Sequence, residues 1–197
     1  MPLLRIRMAA PFALALSLAF AGHAALAQSA PPAGPAVPSQ LKPGDAFGET
    51  VTLPDRTIVY MKGQTNWDVA FDTLKDTFKS LNEYLDKQAL KPTGPLITIY
   101  TETDDRGFSF QAAAPIAAAP ANPPKGDIAI ALAPGGKALK FVHRGSYDSM
   151  DSTYEAITNY LDEKQLEAKD LFIEEYLTDP VKTDPSNLVI NVFVPIK

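Results

Sequence analysis

The segment 171–180 sets two adjacent glutamates, Glu174 and Glu175, among large apolar residues in a predicted β-strand. Side chains alternate between the faces of a strand, so Phe172, Glu174 and Tyr176 share one face and Glu175 lies on the other. One carboxylate must then lie among apolar neighbours, where an ionised group is costly without a cation or a hydrogen-bond donor. A small-molecule cation is one candidate partner. Alternatively, this is an edge strand and both glutamates are solvated.

Alternation alone leaves open which glutamate is the buried one, because a bulge in the strand would exchange the two faces. The pattern nevertheless predicts one carboxylate among large apolar neighbours. Where aromatic rings are among those neighbours, the site suits a flat or quaternary cation, since ring faces attract positive charge and the carboxylate supplies the countercharge.

Other kinds of chemistry have little support in the sequence. His143 is the only histidine after residue 27, and the chain has no cysteine, so the usual zinc and haem ligand sets cannot be assembled. No Gly-x-Ser-x-Gly turn is present, and Gly135 and Gly136 lie between two predicted strands, as in a hairpin rather than a phosphate-binding loop. We therefore predict neither a metal nor a cofactor.

The first 27 residues resemble a secretory signal peptide. Arg5 and Arg7 precede an apolar run over residues 8–20, and small residues lead up to Ala27. The run is shorter than the roughly 20 residues that a transmembrane helix needs. We expect cleavage near Ala27, no stable insertion in a membrane, and a periplasmic or secreted protein.

Removal of residues 1–27 makes the chain more acidic. It takes away two of the 18 basic residues and no acidic one, so 16 basic residues remain against 23 acidic, a formal charge of −7. Nucleic acid is a poor partner for such a chain. Residues 28–46 are rich in alanine and proline and predict a disordered tether, and the globular domain is predicted over 47–197.

The globular part contains the same predicted elements twice, in copies spanning 47–116 and 127–196, with a linker at 117–126. The predicted strands are 49–53, 57–62, 96–101, 107–116, 128–133, 137–143, one within 171–180, and 188–196, and the predicted amphipathic helices are 66–88 and 149–164. One offset aligns Phe78 with Tyr154, 84–86 with 160–162, and Tyr100 with Tyr176.

This duplicated strand-helix-strand-strand unit predicts an α+β domain with pseudo-two-fold symmetry. Two helices should pack on a mostly antiparallel sheet, with a central groove where the halves meet. Thr98 occupies the position of Glu174 in the first copy, so the acidic feature belongs to one half only. We expect the groove to bind one asymmetric ligand.

Three motifs occur in a characteristic order: His-Arg-Gly-Ser-Tyr at 143–147, Glu-Glu-Tyr-Leu-Thr-Asp-Pro at 174–180, and Val-Phe-Val-Pro-Ile at 192–196. Together they resemble the GyrI-like small-molecule-binding domain, also known as the bacterial transcription activator effector-binding domain. The resemblance covers about 150 residues and agrees with the duplicated architecture. Ser146 departs from it, because the family usually has proline there.

The resemblance implies a module in which aromatic residues and a central glutamate hold a lipophilic, in some cases cationic, ligand. Glu174 is the matching glutamate, and Tyr147 and Tyr176 match family tyrosines. From the repeat and the strand pattern we add Tyr100 and Phe172 as candidate ligand-binding residues. Trp67 at the start of the first helix is a candidate lid, or simply packs there.

Two other functions remain open. Some family members are hydrolases, which implies an alternative in which the same glutamate and a tyrosine act as base and acid on a small electrophilic substrate. A peptide could also occupy the groove. The family's transcriptional and gyrase-inhibiting roles are set aside, because the sequence lacks a recognisable DNA-binding domain and begins with an export signal.

Overall fold

The computed structural model describes residues 40–122, 124 and 126–197. The predicted signal peptide and most of the predicted tether lie outside these residues. The strands are β1 (Phe47–Leu53), β2 (Thr57–Asn66), β3 (Leu96–Thr103), β4 (Gly107–Pro115), β5 (Ile128–Leu132), β6 (Gly136–Arg144), β7 (Phe172–Tyr176) and β8 (Val189–Pro195). The α-helices are α1 (Ala70–Lys87) and α2 (Met150–Lys164).

All eight strands form one antiparallel sheet in the order β1-β6-β8-β7-β3-β4-β2-β5. The order is symmetric about the central pair β3 and β7, as the internal repeat predicts. Each copy nevertheless lends its first strand to the other, because β1 pairs with β6 and β5 pairs with β2. The predicted fold class, an α+β domain with a duplicated unit and a mostly antiparallel sheet, is confirmed.

The strand β7 lies between β3 and β8 and is not an edge strand. The alternative in which Glu174 and Glu175 are both solvated at an edge is therefore wrong. Since each residue of an interior strand points to one of two covered faces, the two glutamates have different surroundings.

Helix α1 follows from its apolar spacing, since Leu74, Phe78, Leu81 and Leu85 form one buried stripe against the sheet. Asn66, the first residue of the predicted helix, caps a 3-10 turn, Trp67–Val69, that precedes the α-helix: the Asn66 side chain accepts a hydrogen bond from the Val69 amide. The start of the helix therefore lies a few residues later than predicted.

The second strand of the first copy is longer than the sequence predicts. The strand β2 was expected to end near residue 62 but continues to Asn66, because it stays paired with β4 as far as Gly107. Its partner β4 and the next strand of the sheet, β3, are also long, whereas β7 in the second copy has only five residues. The first half of the sheet thus extends beyond the second.

The sheet carries a core on each face. The larger core lies under both helices and contains residues such as Phe78, Phe110, Phe141 and Ile157. The smaller core lies on the opposite face and is built from residues that include Ile97, Ile99, Ile173 and Phe193. Both faces of β7 and of residues 96–100 of β3 are consequently covered, whereas antiparallel sheets commonly face water on one side.

The described residues contain neither a membrane-spanning helix nor a cluster of metal-binding side chains. None of their helices is long and apolar enough to cross a membrane. Their histidine, aspartate and glutamate side chains form no group of three or more that could hold a metal ion.

Candidate functional site

Glu174 lies at the centre of the sheet, under the groove between the two helices. In the pairing of β3 with β7 it is directly opposite Thr98, and both side chains are 0% exposed. Glu175 points to the other face, where it accepts hydrogen bonds from Arg56 at 3.3 Å and from the Asn191 amide at 2.9 Å. Strand alternation thus assigns Glu174 to the helix side and gives Glu175 a basic partner.

The two carboxylate oxygens of Glu174 accept hydrogen bonds from two tyrosines. The Tyr154 hydroxyl of α2 donates to Oε1 at 2.9 Å, and the Tyr176 hydroxyl of β7 donates to Oε2 at 2.7 Å. Burial nevertheless raises the pKa of Glu174, and the hydroxyls of Tyr176, Tyr100 and Tyr154 offset this only in part. None of the ion pairs among the described residues involves Glu174.

The tyrosine hydroxyls form a network around this carboxylate. The Tyr100 and Tyr147 hydroxyl oxygens lie 2.6 Å apart, and the Thr98 hydroxyl lies 3.3 Å from that of Tyr176. Burial, followed by the nearby Glu174 carboxylate, raises the pKa of Tyr100, Tyr147, Tyr154 and Tyr176 well above the usual value for a phenol. The phenols therefore stay protonated and can donate hydrogen bonds to an anionic centre.

A pair of stacked rings closes the groove above the tyrosines. Phe71 in the first turn of α1 stacks on Tyr147, with ring centroids 4.7 Å apart and an angle of 11° between the planes. The alignment of the two copies that matches Phe78 with Tyr154 also matches Phe71 with Tyr147. The stack and the pair of Thr98 and Glu174 therefore both lie on the pseudo-two-fold axis.

A cleft of about 740 Å³ opens outside this stack, between the N-terminal ends of the two helices. Its walls include Phe71, Tyr147 and Tyr154, but Glu174 is not among them. Its charged residues are four aspartates and one lysine: Asp68, Asp72, Asp148, Asp151 and Lys75. Lys75 is already paired with Asp72 at 2.8 Å. The mouth of the groove is therefore acidic.

The structure places four of the six predicted ligand-binding residues together: Tyr176 donates to Glu174, and the paired hydroxyls of Tyr147 and Tyr100 lie beside them. Phe172 is half-buried and packs edge-on against Tyr154 beside them, with centroids 5.6 Å apart. Trp67 lies at the outer rim of the cleft and is 47% exposed. Its indole N–H donates to the Asp104 carbonyl and its ring packs on Phe108, so this side chain does not cover Glu174.

Two residues of the site were missed in the sequence. Tyr154 was predicted to lie on an amphipathic helix but not to donate a hydrogen bond to the carboxylate. Its repeat counterpart is Phe78, so the hydroxyl is specific to the second copy. Phe71 was missed because its partner is distant in sequence. The repeat alignment held the signal for it, since residues that match across a two-fold axis and lie near that axis must contact each other.

His143 has a structural position. The ring is buried, with Nδ1 2.8 Å from the Thr153 hydroxyl and Nε2 3.1 Å from the Ser146 carbonyl. Since a carbonyl only accepts, Nε2 carries the proton and Nδ1 accepts from Thr153. Burial lowers the pKa of His143, which favours this neutral form. The histidine thereby holds the turn that begins at Ser146 and carries Tyr147.

A second cleft, of about 720 Å³, lies at the β3–β4 hairpin and has a different character. It is lined mainly by polar side chains such as Gln64, Thr65, Glu102 and Ser109. It contains none of the buried tyrosines. The aromatic cleft, beneath which Glu174 is buried, is the stronger candidate for a small-molecule site.

Solved structures with the same fold come from proteins of several kinds. A cryo-EM structure of an EcmrR–DNA complex superposes with a TM-score of 0.65 at 15% identity, covering 77% of this chain and 57% of that chain. SAV2435 bound to tetraphenylphosphonium gives a TM-score of 0.53 at 15% identity, with 77% and 94% covered. A hydrolase encoded by lin2189 from Listeria innocua gives 0.52 at 11% identity, with 78% and 93% covered.

At these identities the likeness shows the fold alone, and this chain spans little more than half of the EcmrR chain. No curated protein matches the sequence. A family model, in contrast, matches residues 49–197, which include every strand and helix described above except the first two residues of β1. The chain belongs to the family of the GyrI-like small molecule binding domain.

Proposed function

We propose that this protein is an exported binding protein that holds a lipophilic cation in the groove between α1 and α2, with Glu174 as the countercharge. The observation that carries the proposal is the state of Glu174: it is completely buried, accepts hydrogen bonds from two tyrosines, and forms none of the ion pairs of the described residues. Burying a carboxylate in this way is costly without a cation. A cationic ligand would supply the missing charge.

The surroundings of Glu174 support an aromatic or otherwise apolar cation. The rings of Phe71, Tyr147 and Tyr154 line the cleft, and Phe172 packs against Tyr154. Ring faces attract cations by about 0.5–2 kcal/mol each. The acidic mouth attracts cations from solution and repels anions. A volume of about 740 Å³ falls within the usual range for drug-sized ligands.

The choice of a cation also has support from a structural neighbour, since SAV2435 is seen bound to tetraphenylphosphonium. That ligand belongs to SAV2435, and its use here is as a probe. A second probe of different shape, the planar cation 10-methylacridinium, widens the test.

The test compares two glutamates that are adjacent in one strand. Titration calorimetry with both cations is performed on residues 28–197 of the wild type, on Glu174→Gln and on Glu175→Gln. We expect Glu174→Gln to weaken binding of the cation at least tenfold, about 1.4 kcal/mol, while Glu175→Gln, on the far face of the sheet, leaves it within about twofold. Equal effects of the two substitutions would contradict the role of Glu174, and no binding of either cation would contradict the proposal.

Export is part of this proposal and is tested separately. The predicted signal peptide lies outside the described residues, and its support is the order of Arg5, Arg7, the apolar run and the small residues before Ala27. Expression of the full chain in a bacterium, followed by fractionation and intact mass measurement, should give a periplasmic or secreted product that begins at Gln28. A full-length cytoplasmic product would contradict export.

A hydrolase is the second candidate. The observation that favours it is the contact of Glu174 with the Tyr154 and Tyr176 hydroxyls, since a carboxylate of raised pKa beside a protonated phenol can serve as base and acid. The fold is shared with the hydrolase encoded by lin2189. Turnover of a small epoxide such as styrene oxide, lost in Glu174→Gln and retained in Glu175→Gln, would favour this function over binding alone.

A further inference from the structure

The stacked rings of Phe71 and Tyr147 separate Glu174 from solvent. Glu174 has no exposed surface and does not line the cleft, whereas Phe71 and Tyr147 line it and are both half-buried. The Tyr147 hydroxyl is fastened to that of Tyr100 at 2.6 Å, and Tyr100 is close enough to affect the pKa of Glu174. A ligand that reaches Glu174 from the cleft must therefore part the two rings.

The two rings are carried by the first turns of the two helical segments and are only partly buried. Phe71 lies in the first turn of α1, just after the 3-10 turn Trp67–Val69, and Tyr147 begins the 3-10 turn Tyr147–Ser149 before α2. Neither side chain belongs to the fully buried core. The closed arrangement is held by the ring stack, by the hydrogen bond between the Tyr147 and Tyr100 hydroxyls and by the Lys75 ammonium, which lies 5.0 Å from the centre of the Phe71 ring. These contacts are few, so we expect an open state populated at about 0.1–10%.

The geometry of the stack also points to the shape of the ligand. The rings are nearly parallel, at 11°, so the space that forms between them when they part is a slot with two flat aromatic walls. A flat aromatic ligand inserted there exchanges one ring-to-ring contact for two. A tetrahedral cation fills a slot poorly and contacts each wall only through the edges of its rings.

We propose that Phe71 and Tyr147 form an aromatic gate that selects flat aromatic monocations, which insert between the two rings with their charge directed to Glu174. This inference rests on the proposed function and adds to it the class of ligand and the residues that choose it. Phe71 and Tyr147 are thus specificity-determining residues, and the hydrogen bond between Tyr147 and Tyr100 is the latch of the closed state.

The test of specificity measures the affinity of 10-methylacridinium and of tetraphenylphosphonium for the wild type, Phe71→Leu and Trp67→Leu. Leucine preserves an apolar side chain at the start of α1 but removes the flat wall. We expect Phe71→Leu to weaken the affinity for the planar cation about tenfold and to change the affinity for the tetrahedral cation less than about threefold. Trp67→Leu is the matched control, since Trp67 is an aromatic residue at the same mouth that is outside the stack, and it should leave both affinities within about twofold.

The test of the latch uses Tyr147→Phe, which retains the ring and removes the hydroxyl that contacts Tyr100. Because the observed association rate is proportional to the open population, stopped-flow association of 10-methylacridinium should become about three- to tenfold faster. Thermal unfolding of each variant, compared with the wild type, shows that the domain still folds.

The outcomes separate this inference from the proposed function. If neither cation binds the wild type, both fail. If the cations bind through Glu174 but Phe71→Leu lowers the affinity for both equally, the gate is wrong and the binding function stands. The same conclusion follows if Trp67→Leu lowers the affinity for the planar cation as strongly as Phe71→Leu does. An association rate unchanged in Tyr147→Phe would likewise overturn the latch.

Discussion

Thr98 and Glu174 are repeat counterparts that face each other across the central pair of strands, and neither has any exposed surface. A hydroxyl in one copy thus occupies the position that a carboxylate occupies in the other. The duplicated scaffold is nearly symmetric, but the charge at its centre is on one side. Together with the Tyr154 hydroxyl, whose counterpart is Phe78, this difference makes the two halves of the groove chemically unlike.

Glu174→Gln should change how stability depends on pH. Burial raises the pKa of Glu174 in the folded protein above its ordinary value of 4.5, so the folded state keeps its proton to higher pH than the unfolded chain does. The free energy of unfolding of the wild type should therefore decrease as pH rises from about 4.5 to the raised pKa, and that decrease should be absent in the variant.

Urea denaturation of both proteins at a series of pH values from 4 to 9 provides the measurement. The exposed carboxylate of Glu155, on the solvent side of α2, supplies the control, and Glu155→Gln should follow the wild-type profile. Parallel curves for the wild type and Glu174→Gln would mean that Glu174 has the same pKa in both states.

Tyr154→Phe should destabilise the domain more than Tyr160→Phe. Both hydroxyls lie on α2, but that of Tyr154 donates to the buried carboxylate of Glu174 at 2.9 Å and that of Tyr160 donates to the Gly48 carbonyl at 3.2 Å. A bond to a charged acceptor contributes about 1.5–3 kcal/mol and a neutral one about 0.5–1.5 kcal/mol.

Chemical denaturation at pH 7 measures the loss in free energy of unfolding for each variant. In a Glu174→Gln background the loss from Tyr154→Phe should fall toward that of the neutral bond, because the charged acceptor is gone. A loss from Tyr154→Phe that stays the same in both backgrounds would show that Glu174 is uncharged in the empty domain.

The ion pair on the opposite face of the sheet makes a separate prediction. Arg56 lies 3.3 Å from Glu175, with side chains 28% and 13% exposed, and Asn191 donates to the other carboxylate oxygen. Arg56→Met should lower the free energy of unfolding by about 2–4 kcal/mol, because it leaves the largely buried charge of Glu175 without its partner. The double variant with Glu175→Gln should recover part of that loss, and a fully additive double-mutant cycle would contradict the coupling.

Asp45 and Arg144 fix the segment before β1 to the end of β6. The guanidinium donates to both carboxylate oxygens of Asp45 at 2.7 Å, and this pairing lowers the pKa of Asp45 from 3.8 to about 2. The stabilisation is therefore complete above pH 3.8 and is lost as pH falls toward 2.

Asp45→Asn should have a lower melting temperature than the wild type at pH 6. The difference in melting temperature between the two proteins should be smaller at pH 2. Asp55→Asn, in the exposed turn between β1 and β2, is the control and should have little effect at either pH. A constant difference between Asp45→Asn and the wild type over this range would mean that the charge of Asp45 contributes nothing.

Features that depend on local sequence pattern could be predicted, whereas contacts between distant parts of the fold could not. The spacing of Leu74, Phe78 and Leu81 was sufficient to predict α1 and its buried face, and the repeat was sufficient to predict the symmetric sheet. Glu174 was singled out because a carboxylate beside Phe172 and Tyr176 violates the strand pattern.

The contacts of Glu174 could not be predicted in the same way. Whether Tyr154 or a lysine would meet the carboxylate depends on how α2 is positioned over β7, which no local periodicity specifies. The stack of Phe71 on Tyr147 joins residues of different copies, and only the shared axis brings them together. The end of β2 was misplaced because its pairing with β4, and not its own composition, decides where it stops.

The exchange of outer strands has an evolutionary consequence. With β1 paired to β6 and β5 paired to β2, a polypeptide containing one copy would have its first strand without a partner and an unsatisfied sheet edge. Two such polypeptides could satisfy each other by swapping those strands, which would produce a homodimer with the architecture of this single chain. Fusion of the two genes would then allow each copy to diverge. The appearance of one acidic residue at the two-fold axis would convert a symmetric crevice into an asymmetric one.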